Sequence, residues 1–266
     1  MNATESASGR ADRSLVALWR VVFEKEYIIL RRYWFDTLAA IGVNYTIFVL
    51  LFLGVRTVVP AIIDGNLTAI IIGYFVWSMS WGSFQSSART LKREAEWGTL
   101  EQTTMSPFGL FAVLTARIAA KLLFTLSRGV LILALLLVTT QHWISLDPVS
   151  LPPLVLVTMV SATGLGYAFG GLALVYKRVS SVFIIVQFLL IGAVGAPSSP
   201  LAKLLPLAWG TDLLVLVVTE GTPIWQLPPT DLLGVTAVSA GYLLFGYLAF
   251  RYAIAVSKRR GILGDY

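Results

Sequence analysis

Four polar side chains fall inside long apolar stretches of this 266-residue chain: Asn44, Gln85, Arg128 and Gln187. Arg128 matters most, because a charge near the centre of a bilayer costs at least about 2.5–3.5 kcal/mol on insertion scales. The neighbouring apolar stretches offer no acidic residue to pair with it. Two interpretations stay open: the side chain reaches the interface or makes a structural contact, or it contacts an anionic substrate or a lipid headgroup.

The residue types in this chain do not favour an enzyme. The chain has no cysteine, which excludes a thiol nucleophile, a disulfide and a cysteine-based metal site. Its one histidine, His142, lies beside Trp143, and no pair of carboxylates lies within the apolar stretches, so neither a catalytic pair nor clustered metal ligands are expected. The phosphate-binding pattern G-x-x-x-x-G-K-[ST] does not occur. We therefore expect a protein that is not an enzyme, binds no metal or cofactor and does not hydrolyse ATP itself.

One stretch, EWGTLEQTTMSP from Glu96 to Pro107, is polar although the chain around it is apolar. The spacing predicts a short helix over about residues 91–105, with charged positions between its apolar ones. Its apolar positions are Leu91, Ala95 and Leu100. Ser106-Pro107 then predicts the start of the next helix, with serine as N-cap and proline in the first turn. A short polar helix held between two apolar stretches can transmit a movement of a bound soluble partner to those stretches.

The composition indicates the elements that carry these residues. Hydrophobic residues make up 57% of the chain and charged residues 13%, whereas soluble domains carry roughly 25% charged residues. The mean hydropathy is +0.79, and apolar runs near 20 residues are typical of helices that cross a bilayer core of about 30 Å. The sequence therefore predicts an all-α integral membrane protein with six transmembrane helices. The predicted spans are Thr37–Val55, Leu67–Ala88, Phe111–Thr140 (interrupted by basic residues), Val149–Tyr176, Ser181–Gly195 and Leu232–Phe250.

The distribution of charge predicts the orientation. With the N-terminus inside, the outer segments hold only Arg56 and Lys203 of the 20 Lys and Arg residues, Arg128 lies in the third span, and the others are cytoplasmic. Because basic residues collect on the cytoplasmic side, both termini are expected there, in the plasma (cytoplasmic) membrane. The net charge of +6 reflects this bias and does not indicate a nucleic-acid partner. The polar first fourteen residues have no apolar core, so no cleavable signal peptide is expected.

Three segments outside the spans complete the predicted organisation. Residues 1–35 form a tail and an amphipathic helix along the cytoplasmic interface, capped by Ser14; the alternative is a tail helix packed on a soluble neighbour. Residues 36–255 form the six-span domain, in which prolines break residues 196–231 into short re-entrant helices in the outer leaflet. Residues 256–266 form a cytoplasmic tail. The apolar face of the first helix holds Leu15, Leu18, Trp19 and Val22.

The run RTLKREAEWGTLEQTTMSPFGLFAVLTARIAAKLL resembles the signature of the ABC-type exporter permeases of the type-two class, also called type V exporters. In that family a glutamate, then Gly-Thr-Leu-Glu, then Ser-Pro form the coupling helix that docks on the ATP-binding subunit. The matching positions are Glu96, Gly98, Thr99, Leu100, Glu101, Ser106 and Pro107. The six-span layout, the interfacial helix, the broken segment before the last span and the closing RRGILGDY fit the same family.

The resemblance implies partners and sites. ATP and Mg would be bound by a separate ATP-binding cassette subunit, present in two copies. A second permease chain, expected to be an identical copy, would complete the membrane path, and membrane lipid is the other partner. Coupling would also involve Glu94 and the turn with Lys177 and Arg178, although topology alone also predicts a basic turn there. The expected path residues are Asn44, Tyr45, Phe48, Tyr74, Trp77, Trp81, Gln85, Arg128 and Gln187.

The function implied is that of a permease subunit moving a hydrophobic or amphipathic molecule, such as a drug-like compound, a lipid or a glycolipid, out of the cytoplasm or the inner leaflet. Aromatic rings at helical spacing on the first two spans suit such a path, but they also suit plain helix packing. A polysaccharide or polyol-phosphate exporter permease of the same family is one alternative. An ion-driven secondary transporter is another.

Overall fold

The computed structural model describes residues 3–58, 60–96, 108–176, 180–196 and 199–259. These residues form eight α-helices and two short 3₁₀ helices, and none of them is in a β-strand. The α-helices are α1 (Ala3–Arg32), α2 (Trp34–Val58), α3 (Pro60–Glu96), α4 (Gly109–Thr140), α5 (Leu151–Val175), α6 (Ser180–Val194), α7 (Ala208–Glu220) and α8 (Pro229–Arg259). The 3₁₀ helices Ala202–Leu204 and Ile224–Gln226 flank α7. The predicted all-α fold is confirmed for this part of the chain.

Five of these helices are long and apolar enough to cross a bilayer. The qualifying segments are Trp34–Val58, Gly65–Leu91, Ala112–Thr140, Leu151–Val175 and Pro229–Ser257. The fifth predicted span corresponds to α6, which is apolar but has 15 residues. At 1.5 Å per residue α6 is about 22 Å long, less than the roughly 30 Å of a bilayer core. The described residues thus form a multi-pass membrane protein with five full-length candidate spans where six were predicted.

The second span lies within a longer helix than expected. α3 begins at Pro60, and Asn66 interrupts it with non-helical backbone angles, φ −135° and ψ 20°. The predicted span begins at Leu67, directly after this kink. The predicted boundary therefore coincides with the kink, but the helix continues on the N-terminal side of Asn66.

Two predicted helix starts differ from the structure. α1 runs without a break through Ser14, so the predicted cap at this residue is wrong; between residues 3 and 14 no proline occurs to stop a helix from continuing. α4 begins at Gly109, after Phe108, which makes no side-chain cap hydrogen bond. This start is two residues later than the predicted one, and Ser106 and Pro107 themselves lie outside the described residues.

Helix α1 packs on α4 through a small apolar contact. Val22 is buried with Ala116 and Ala120 of α4, and the ring of Phe23 lies 6.3 Å from that of Phe124. Of the predicted apolar face, Val22 and Leu18 take part in this contact, while Leu15 and Trp19 stay exposed. Helix α1 therefore packs on α4 through the part of its apolar face between Leu18 and Phe23.

Helix α5 lies at the centre of the bundle, between α3 and α8. A Cβ atom at Gly166 would come within 2.7 Å of the Phe84 carbonyl oxygen, and one at Gly170 within 3.2 Å of the Ala88 Cα, both in α3. On the other side, a Cβ at Gly171 would lie 3.1 Å from the Phe250 Cα in α8. Because glycine has no side chain, the helix axes can approach closely. Gly166 and Gly170, in G-x-x-x-G spacing, thus allow close helix packing within this chain.

Candidate functional site

The predicted aromatic stripes of α2 and α3 meet each other. The Tyr74 hydroxyl donates a hydrogen bond to the Asn44 carbonyl oxygen at 2.5 Å, and the Phe48 and Tyr74 ring centroids lie 5.1 Å apart. The Trp77 ring follows at 5.4 Å from Tyr74. Phe48 is 1% exposed and Trp77 7% exposed. Phe48 and Trp77 are therefore buried between the helices, whereas Tyr74 is half-buried.

Other predicted path residues are separated from this cluster. The Tyr45 hydroxyl forms a 2.7 Å hydrogen bond with the Thr139 hydroxyl of α4. The Trp81 ring stacks on Phe84 at 5.3 Å, and Phe84 contacts the Phe183 ring of α6 at 5.7 Å. The structure therefore divides the expected path into an α2–α3 cluster and an α3–α6 cluster.

The three predicted amide side chains lie on three different helices, α2, α3 and α6. The Asn44 Nδ2 group donates to the Ala40 carbonyl oxygen at 2.9 Å, four residues earlier in its own helix. Gln85 and Gln187 are half-buried on α3 and α6. A local bond of this kind satisfies a polar side chain inside an apolar helix, so Asn44 has a structural explanation.

Two buried polar atoms of α3 lack a partner within the described part of the chain: one belongs to Trp77, a predicted path residue, and the other to Ser80, which was not predicted. The Trp77 Nε1 and Ser80 Oγ atoms are buried and have no hydrogen-bond partner among the described residues. An unpaired buried polar group costs about 1–3 kcal/mol. A residue type alone cannot reveal this, because serine and tryptophan usually find a partner when they are buried.

Arg128 lies where three helices meet. Its Nε atom donates to the Phe124 carbonyl oxygen at 3.3 Å, and its side chain lines a cavity of about 800 Å³ with the end of α1 and the start of α2. Tyr33 and Thr37 line the same cavity. Arg128 is therefore level with the α1–α2 junction.

The connections proposed for coupling leave the bundle at one end, which we call the Leu91 end. There Leu91 of α3, Leu114 of α4, Leu174 of α5 and Ile254 of α8 belong to one buried cluster. The α3–α4 connection runs between Glu96 and Gly109, and the α5–α6 connection between Val175 and Ser180. Both connections therefore begin at the same end of the bundle, which is also the end of α8.

Most of the residues predicted to couple to an ATP-binding subunit lie outside the described residues. Glu94 and Glu96 belong to the last turn of α3, with side chains outside the described set. The other predicted coupling residues lie outside the described residues: Gly98, Thr99, Leu100, Glu101, Ser106, Pro107, Lys177 and Arg178. The predicted short helix over residues 91–105 is consequently described only up to Glu96, where it continues α3.

At the opposite end, the segment between α6 and α8 is folded onto the bundle. Lys203 Nζ lies 3.5 Å from Asp231 Oδ1, which also accepts a 3.2 Å hydrogen bond from the Trp209 indole. These groups line a cavity of about 830 Å³ that also includes Tyr74 and Gly195. The prediction of short helical pieces in this segment is confirmed for its described part. The cavity was not predicted, since its lining comes from α3, α6, α7 and α8 together.

A second set of hydrogen bonds at this end fixes the start of α5. The Asp147 carboxylate accepts hydrogen bonds from the Val149 N–H at 3.0 Å and from the Ser150 hydroxyl. These bonds, the hydroxyl first, lower the pKa of the Asp147 carboxyl below its ordinary value. The Ser150 oxygen in turn accepts the Ile224 N–H at 2.9 Å. The loop before α5 is thus bonded to the 3₁₀ helix that follows α7.

Comparison with models of known families, with curated proteins and with solved structures finds no match to this chain.

Proposed function

We propose that this chain is the membrane subunit of an ATP-driven exporter of the ABC type. The observation that carries the proposal is the match of EWGTLEQTTMSP to the coupling helix of type V exporters, between two long helices. The position of this stretch at the Leu91 end supports it, because the α5–α6 connection begins there too. One soluble partner could then contact both connections at once.

The proposed assembly contains two permease chains and two ATP-binding subunits. ATP and Mg are held by the partner, since this sequence has no phosphate-binding loop. The proposed topology has six crossings with both termini in the cytoplasm of a plasma (cytoplasmic) membrane, with α6 as the short fifth crossing. A 15-residue apolar helix can take part in a crossing when protein or a thinned bilayer covers its ends. The exposed Arg89, Arg93 and Arg251 near the Leu91 end support the inward orientation of that end.

The proposed substrate is a hydrophobic or amphipathic molecule such as a drug-like compound, a lipid or a glycolipid. Large apolar side chains are exposed along α2, which faces away from the bundle core at Leu38, Val43, Leu50 and Leu53. Such a face suits contact with lipid or with a second permease chain. A path formed between two chains could accept an apolar molecule without an enclosed cavity in either one.

The test is co-purification from native membranes in mild detergent. The tagged chain should bring down an ATP-binding subunit in equal amount, and Glu101→Arg should abolish this or uncouple ATP hydrolysis by placing a positive charge at the docking surface. Glu220→Arg is the matched control, because it makes the same charge change on an exposed residue at the other end of the bundle. Recovery of the wild-type chain alone in every detergent would refute the proposal and favour an ion-driven transporter. Equal loss in both variants would refute the assignment of Glu101.

A further inference from the structure

The cavity beside Arg128 has the charges and the surroundings of a lipid-headgroup site. Its wall contains three arginines, from three different helices: Arg32 at the end of α1, Arg93 near the end of α3 and Arg128 in α4. Two carboxylates, Glu26 and Asp36, complete the charged lining. The volume of about 800 Å³ is within the range of about 300–1,000 Å³ typical of ligand pockets.

The two carboxylates in this wall neutralise only part of its positive charge. No guanidinium nitrogen of the three arginines lies within 4.0 Å of a Glu26 or Asp36 oxygen, so these five described side chains form no ion pair with each other. Among the described residues, Arg128 donates a hydrogen bond only to the Phe124 carbonyl oxygen of its own helix. Three positive and two negative side chains leave the wall with one positive charge in excess. An anion with a single negative charge would bring it to neutrality.

Arginine is suited to one class of anion in particular. Its planar guanidinium offers paired N–H donors that match the oxygens of a phosphate group, and such charge-assisted hydrogen bonds are roughly twice as strong as neutral ones. Guanidinium groups from α1, α3 and α4 could surround a phosphate from different directions. A phosphodiester carries the single negative charge that the wall lacks.

The surroundings of the cavity point to a phosphate that carries acyl chains. Ile28, Ile29 and Phe124 line its apolar side. Next to it, at the start of α2, Trp34, Phe35 and Leu38 are exposed. Aromatic side chains in this arrangement are typical of the layer where headgroups meet acyl chains. A soluble anion has no acyl chains to contact these apolar side chains.

We propose that this cavity binds the phosphodiester headgroup of an anionic phospholipid, with Arg32, Arg93 and Arg128 as the phosphate ligands. The bound lipid joins α1 to α4 beside their small apolar contact at Val22. This inference rests on the described side chains and is independent of the proposed coupling to an ATP-binding subunit. It also gives a role to Arg128, which directly precedes the apolar run over residues 129–138 of α4.

The experiment measures lipid binding to the purified full chain by native mass spectrometry. We expect one phosphatidylglycerol to bind at least about tenfold more tightly than phosphatidylcholine with the same acyl chains. Arg128→Gln should reduce phosphatidylglycerol affinity about tenfold or more, since it removes a charged hydrogen-bond donor. Arg89→Gln is the matched control: it removes an exposed arginine from α3, outside the cavity lining, and should bind as the wild type does.

A gain of affinity separates a binding role from a folding defect. Glu26→Gln raises the excess charge of the wall from one to two, so phosphatidylglycerol should bind several-fold more tightly, a result that misfolding cannot produce. Wild-type affinity in Arg128→Gln, equal loss in Arg89→Gln, or no gain in Glu26→Gln would overturn the proposal. Displacement of the lipid by millimolar glycerol phosphate would overturn the lipid assignment and leave a site for soluble phosphate.

Discussion

Replacing Gly246 by alanine tests the backbone contact between α5 and α8. A Cβ atom at Gly246 would overlap the carbonyl oxygen of Gly164 and lie 2.6 Å from its carbonyl carbon and 2.9 Å from its Cα. These are backbone atoms, so no side-chain rotation relieves the clash. Carbon–oxygen contacts between helices lie at about 3.3–3.6 Å, and α8 must therefore withdraw from α5 by roughly 1.5 Å.

The expected cost follows from two opposing effects. Overpacking a core typically costs about 1–3 kcal/mol, and replacing a helical glycine by alanine recovers roughly 0.5–1 kcal/mol. We expect a net loss of about 1–2 kcal/mol in the free energy of unfolding. For a chain of this size that corresponds to a drop in Tm of about 2–8 °C.

The assay is thermal unfolding of the purified chain in one detergent, followed by tryptophan fluorescence at a fixed scan rate. Gly241→Ala is the control, because it lies five residues earlier in α8 and its Cβ would meet no atom within 4 Å. That variant should match or exceed the wild type. A Gly246→Ala chain as stable as the wild type would refute the close contact, and an equal loss in both variants would show that α8 itself tolerates no alanine.

Three further predictions concern single polar contacts. Ser83→Ala removes the 2.6 Å hydrogen bond to the Thr163 hydroxyl and should cost about 1 kcal/mol in unfolding free energy, whereas Ser127→Ala, which removes only an exposed bond within α4, should have no measurable effect. Hydrogen bonds lower the pKa of the Asp147 carboxyl in the folded state. The ionised carboxylate therefore stabilises the fold at pH values above the ordinary pKa of about 3.9, and this stabilisation is lost as the pH falls through the lower pKa of the folded state. Asp147→Asn should thus lower Tm at pH 7, and the difference from the wild type should shrink below about pH 4; a constant difference across this range would contradict the reasoning. Asp231→Ala removes the acceptor of Lys203 and Trp209 and should lower the unfolding free energy by about 1 kcal/mol, and an unchanged Tm would show that these contacts do not hold the segment before α8.

Much of the fold could be predicted because lipid solvation constrains a sequence strongly. A helix that crosses a bilayer must satisfy its own backbone hydrogen bonds and present apolar side chains over about 20 residues. For this reason the apolar runs located α2, α3, α4 and α5 to within three residues of their candidate spans, and the start of α8 likewise, although the candidate span in α8 ends at Ser257, past the predicted end at Phe250. Where the prediction failed, the cause was local. Nothing in the sequence around Ser14 shows that α1 starts at Ala3, because capping residues also occur inside helices.

The candidate site was less predictable, since its properties depend on pairs of helices. The aromatic spacing on α3 indicated one face correctly, but only the packing of α2 against it shows that Tyr74 bonds to the Asn44 carbonyl oxygen. The same holds for Gln85 and Gln187, whose residue types suggested a polar path but could not show that each is half-buried, one on α3 and one on α6. Periodicity determines which residues share a face, whereas it does not determine what that face contacts.

Arg128 shows most clearly which properties follow from the sequence and which depend on the tertiary structure. The sequence by itself determined that an arginine interrupts an apolar run, that the chain is a membrane protein, and that EWGTLEQTTMSP lies between two of its long helices. Only the tertiary structure decided that Arg32 and Arg93 share a cavity with Arg128, although they are distant in sequence. The physical reason is that hydrophobicity acts on each segment separately, while charge and cavity shape depend on which segments meet.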